Sequence, residues 1–151
     1  MKSIFKLLVA AFLTVAPLTI SAQSNVAHIN VQQLISEMPE VIAAQNELAK
    51  LEKDYTTQID NAFKEFQTKA QSYSSDAANQ TDVTNQARQK ELESMQTNLQ
   101  EFRDSAAQEL QKKQMDLMTP LLEKARNAIT KVGEEQGFNY VIDSSPNGGI
   151  I

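Results

Sequence analysis

Residues 40 to 119 run for eighty positions without one glycine or proline. All four glycines (Gly133, Gly137, Gly148 and Gly149) fall in the last nineteen residues, and the prolines are Pro17, Pro39, Pro120 and Pro146. Chains that change direction every dozen residues use glycine and proline to do so. A run this long without either excludes a β-sandwich, a doubly wound α/β domain and most enzyme scaffolds. It demands long helix.

The first 22 residues are of a different kind. Lys2 and Lys6 form a basic head, Leu7 to Val15 an apolar stretch, and Ala22 a small residue ahead of polar Gln23. This order predicts a secretory signal peptide over residues 1–22, cleaved after Ala22. The apolar stretch is short for a membrane span. No Cys stands near the cut to carry a lipid. The expected mature chain of 129 residues is 36% apolar and sets twelve basic against nineteen acidic side chains, a net charge of −7. Phosphate contacts need clustered Lys and Arg, so nucleic acid is not an expected partner. Exported domains without disulfides find stability elsewhere, commonly by oligomerising.

The aliphatic residues divide the chain into a body and an arm. Ile, Leu, Val and Met supply eight of residues 26–42 and eleven of residues 115–151, but only eight of the seventy-two between. The ends can therefore build a core together, and the middle can build at most a narrow seam. Val41, Ala44, Leu48, Leu51 and Tyr55 alternate steps of three and four, the heptad pattern. Ile59, Phe63, Phe66, Ala70 and Tyr73 continue it after a stutter. Leu92, Met95, Leu99, Phe102, Ala106 and Leu110 repeat it, and Leu117, Leu121, Ala125, Ala128 and Val132 carry it onward.

Residues 74 to 86 are polar or small, with side chains that favour caps and turns. A hairpin tip is expected near 76–82, with Thr81 or Asp82 capping the returning helix. Pro39 and Pro120 lie equally far from residue 79.5, which would put them at one level as shoulders between arm and body. Pro39 suits the first turn of a helix, and Pro120 should kink one.

The ends read as short strands. Residues 26 to 31 alternate with period two, residues 32 to 38 form a short helix, and residues 138 to 143 read as a second strand. Gly133 and Gly137 are expected to stop the long helix. Pro146 to Gly149 marks a turn, and Ile150 and Ile151 could return as a third strand. Three short strands are too little sheet for one core. Pairing between copies would complete it, through Val26, Ile29, Val31, Leu34, Ile35, Tyr140, Val141, Ile142 and Ile150. The organisation read is thus residues 1–22 as signal, 23–39 with 120–151 as body, and 40–119 as arm.

Several segments together resemble the Skp/OmpH family of periplasmic chaperones. They are Ala27 to Ile35, Met38-Pro39-Glu40, Gln108 to Gln114, Met118 to Leu122 and Gly137 to Ser144. The glutamine-rich version here is similar to members from Bacteroidetes-type bacteria. The resemblance implies a mainly α fold with a small β body, in which short strands of three copies form an intersubunit barrel. Three helical hairpin arms would hang from it like a jellyfish. It implies an ATP-independent periplasmic holdase that keeps unfolded outer-membrane proteins soluble, and no enzyme. The family's best-known members are basic toward the arm tips. Here residues 70 to 87 hold Asp76 and Asp82 and no Lys or Arg, which puts lipid or lipopolysaccharide contact in doubt.

Under that resemblance Tyr55, Phe63, Phe66, Tyr73, Met95 and Phe102 are candidates for client contact. Their spacing is also that of the seam, and filling it is the plainer reading. His28 is the only histidine and no Cys is present, so no metal site, cofactor or catalytic triad is expected. The alternative function is a structural coiled-coil or adaptor protein of the cell envelope. A pure coiled coil predicts heptads without the polar break at 74 to 86.

Overall fold

The computed structural model describes residues 25 to 146 together with 148 and 149. The expected signal peptide, Ile150 and the expected third strand lie outside the described residues. Strand β1 (Val26–Ile29) leads into helix α1 (Val31–Glu37). Helix α2 (Pro39–Asp76) runs out to a 3-10 turn (Ala77–Asn79), and helix α3 (Asp82–Glu135) returns to strand β2 (Tyr140–Asp143).

Each boundary has a local cause. The Asn30 side chain accepts from Gln33 N–H and caps α1. Met38 is extended (ψ 124°), as a residue before proline prefers, and Pro39 then occupies the first turn of α2. Thr81 caps α3 by accepting from Thr84 N–H. At the far end Gly137 takes φ 72°. Phe138 N–H then reaches Gly133 O at 2.9 Å and Gly137 N–H reaches Glu134 O at 3.1 Å, a Schellman pair.

Gly133 therefore does not stop the helix. It is buried inside α3, where a Cβ would stand 3.1 Å from Val141 Cγ2. Its missing side chain is what lets β2 pack on α3.

The two strands pair in parallel, with Val26 opposite Tyr140 and Ile29 opposite Asp143. A parallel pair needs a crossover connection. Here that crossover is the entire helical hairpin, so the sheet closes its base. The Asp143 carboxylate fastens the closure by accepting from Val31 N–H (3.2 Å) at the start of α1 and from Ser145 N–H (2.9 Å).

The core is a thin line rather than a ball. Val41, Ala44, Leu99, Ala106, Ala125 and Ile129 are its buried apolar residues. Three are alanines, which let the helices approach closely but bury little area each. In α2 the seam takes Ala62 and leaves Phe63 40% exposed, contrary to the expected stripe. In α3 beyond Pro120 it follows Ala125, Ile129 and Gly133, while Ala128 and Val132 face solvent. That stretch packs on the sheet and α1 instead of following a heptad seam, so its buried line advances by fours.

Candidate functional site

Helices α2 and α3 are held in register by pairs that cross the seam. Glu40–Lys124, Tyr55–Glu109, Tyr73–Glu91 and Asp76–Arg88 all share residue 82 as their midpoint. Glu47–Lys113 and Lys69–Glu91 share residue 80. Pairs centred on residue 82 set Pro120 about one helical turn nearer the tip than Pro39, and pairs centred on residue 80 set the two within one residue of level. Helix α3 runs through Pro120 without a break.

Midway along the arm, the Tyr55 and Phe102 rings meet edge to face, with centroids 6.1 Å apart. The Tyr55 hydroxyl donates to the Glu109 carboxylate, which raises the tyrosine pKa. Both rings lie half-buried in the seam.

The distal end carries a polar clasp. Arg88 Nη2 donates to Asp76 Oδ2 at 3.0 Å, and its guanidinium lies 4.7 Å from the centroid of the Tyr73 ring. Tyr73 OH donates to Glu91 at 2.6 Å, and Lys69 pairs with the same carboxylate. Asn85 Nδ2 donates to Ala77 O at 2.9 Å, tying α3 to the turn. Arg88 holds the Asp76 carboxyl below its ordinary value, with help from Asn79 and Gln80. Lys69 and then Tyr73 hold Glu91 down in the same way. Asp76 and Glu91 are thus each paired with a cation across the hairpin. Counting charges over residues 70 to 87 misses this, because Lys69 and Arg88 stand immediately outside that window.

Of the client-contact candidates, Tyr55, Phe66, Tyr73, Met95 and Phe102 are half-buried and Phe63 is exposed. Phe63 and Phe66 line a groove of about 600 Å³ against Gln96, Leu99, Gln100 and Arg103. Phe66 also borders a second groove, of about 480 Å³, with Ala70, Tyr73, Gln89 and Leu92. The Ala62-for-Phe63 exchange that opens the first groove has no signal in the spacing, because both residues continue an apolar stripe.

Of the body candidates, Val26, Tyr140 and Ile142 are exposed, and Ile29, Val31, Leu34, Ile35 and Val141 are half-buried. The exposed residues share one face of the sheet with His28, because strand residues alternate in direction. Among the described residues nothing covers that face.

Among the described residues no group of three or more His, Cys, Asp or Glu is placed to hold a metal ion. Among the same residues, no helix is long and apolar enough to cross a membrane.

These features define a mainly helical protein, a long hairpin closed at its base by a small sheet. A family model described as outer membrane protein (OmpH-like) matches residues 25–151. The chain belongs to the OmpH-like family. A chaperone-type role in the periplasm is the general class in which the family falls, and it is not known as a family of enzymes. No curated protein matches the chain.

Proposed function

We propose that this protein is an ATP-independent holdase that receives unfolded outer-membrane proteins between the arms of a homotrimer and prevents their aggregation. The observation that carries the reading is the shape of the hairpin within an OmpH-like chain. Two long helices share a seam one or two side chains wide, with apolar residues exposed along its flank. The uncovered sheet face of Val26, Tyr140 and Ile142 supplies the joint between copies. Three copies would surround a client with many weak contacts, which add by multivalency without fixing one bound geometry. A trimer would carry roughly −21, so basic client segments are favoured over acidic ones.

The test dilutes an unfolded outer-membrane barrel protein from urea into buffer with and without this protein, in the absence of ATP. Turbidity should stay low when the protein is present. Unchanged aggregation across salt concentrations would sink the reading.

A further inference from the structure

The chain holds no cysteine, so the methionine thioether is its only sulfur open to oxidation. Four methionines lie among the described residues, and the fold treats them differently. Met95 is half-buried on the seam, four residues before buried Leu99. Met38 is half-buried where α1 meets α2, and its backbone N–H donates to Ile35 O at 3.2 Å. Met118 is half-buried in α3, two residues before Pro120. Met115 alone of the four is open to solvent, at 55% exposure.

The place of Met115 in α3 gives that exposure a consequence. Between Ala106 and Ala125 the helix buries no residue. Pro120 has no N–H, so the Asp116 carbonyl loses its helical donor in the same stretch. Packing is thin here, and half-buried Met118 is part of what remains. Met115 and Met118 are three residues apart and are neighbours on the helix surface.

We propose that Met115 is a sacrificial oxidation site, which takes oxygen from a hydroperoxide ahead of Met118. The thioether sulfur attacks one oxygen of the peroxide with a lone pair. The S–O bond forms as the O–O bond breaks, and sulfur is oxidised to the sulfoxide. The displaced hydroxide takes the proton of the transferred oxygen and leaves as water. Sulfoxide is polar, and at position 115 water solvates it. At Met118 the same oxygen would be partly enclosed, and enclosing a polar group without a hydrogen bond is costly. Oxidation is thus harmless at one residue and damaging at its neighbour. The proposal is independent of the holdase reading.

The test adds limiting hydrogen peroxide to the purified full-length protein and follows the sulfoxide at each methionine by peptide mass spectrometry. Met115 should react about tenfold faster than Met38, Met95 or Met118. In urea the four should react alike, since folding alone distinguishes them. The urea midpoint of protein oxidised only at Met115 should match that of the untreated protein. Met115→Leu keeps the apolar volume and the helix propensity. In that variant the oxidised share of Met118 should rise severalfold, and the urea midpoint should then fall. Met115→Gln is the second variant; it puts a polar group at the site and should leave the midpoint unchanged. Equal rates for Met115 and Met95 in the folded protein overturn the proposal. So does a Met115 that remains fastest in urea, because exposure is then not the cause. A midpoint lowered by oxidation at Met115 alone removes the sacrificial role, and unchanged Met118 oxidation in Met115→Leu removes the protection.

Discussion

Arg88 donates to Asp76 across the hairpin at 3.0 Å, close to the turn at Ala77–Asn79 and far from the sheet that closes the base. A free helical end would fray. This pair, with the Tyr73 ring under the guanidinium, holds both helices together where the apolar seam has run out. Arg88→Ala should therefore loosen the tip alone. Hydrogen exchange of residues 74 to 88 should quicken severalfold, while residues 41 to 48 keep their protection. Equal quickening in both regions would show that the clasp is not local.

The same clasp fixes a pH window. Lys69 chiefly lowers the Glu91 pKa from 4.5, and Arg88 chiefly lowers that of Asp76 from 3.8. A carboxylate lowered by folding adds stability above its unfolded value and loses it as pH falls through the folded one. Glu91 raises Lys69 from 10.5 and Tyr73 from 10.0. Their contribution is present below those values and lost as pH rises through the raised ones. Tip order should be flat from about pH 5 to about pH 9. A spin-label distance between positions 72 and 90 measures it, and broadening already at neutral pH would remove the carboxylates as the cause.

Leu99 and Phe63 should respond very differently to truncation. Leu99 is buried in the seam, and Leu99→Ala should cost about 2–4 kcal/mol in urea unfolding. Phe63 is 40% exposed, and Phe63→Ala should cost about 1 kcal/mol or less. Similar losses for the two would return Phe63 to the seam.

Gly133 and Gly137 separate close approach from backbone conformation. Gly133→Val drives its side chain into Val141, which already stands 3.1 Å from where a Cβ would be, and should cost about 1–3 kcal/mol. Val141→Ala should recover part of that loss. Gly137→Ala meets nothing within 4 Å and should cost about 1 kcal/mol through φ 72° alone. No neighbouring substitution should rescue it. Thermal unfolding of the double variants decides the matter.

The uncovered sheet face predicts the oligomer. Ile142→Asp places a charge opposite His28 and next to Tyr140, on a face that no described residue buries. Sedimentation should move from trimer to monomer with helicity kept. A trimer that survives the charge would place the joint elsewhere.

Long helix was legible because it depends on what is absent. Without glycine or proline from 40 to 119, nothing local stops a helix. The Thr81 cap was legible because it acts on an amide three residues away; Asn30 caps α1 in the same way but read as part of the strand, since residues 26 to 31 alternate throughout. The clasp was not legible. Asp76 and Arg88 are twelve residues apart and join only when the chain reverses. Asp143 and Val31 are still further apart, and no spacing rule links them.

Composition and pattern thus settled that the chain is long helices with apolar ends, since propensity and capping act over a few residues. Which side of each helix faces the other was decided by the fold. The apolar pattern permits either Ala62 or Phe63 in the seam, and in the fold Ala62 is the more buried of the two. This leaves a phenylalanine on the flank, 40% exposed.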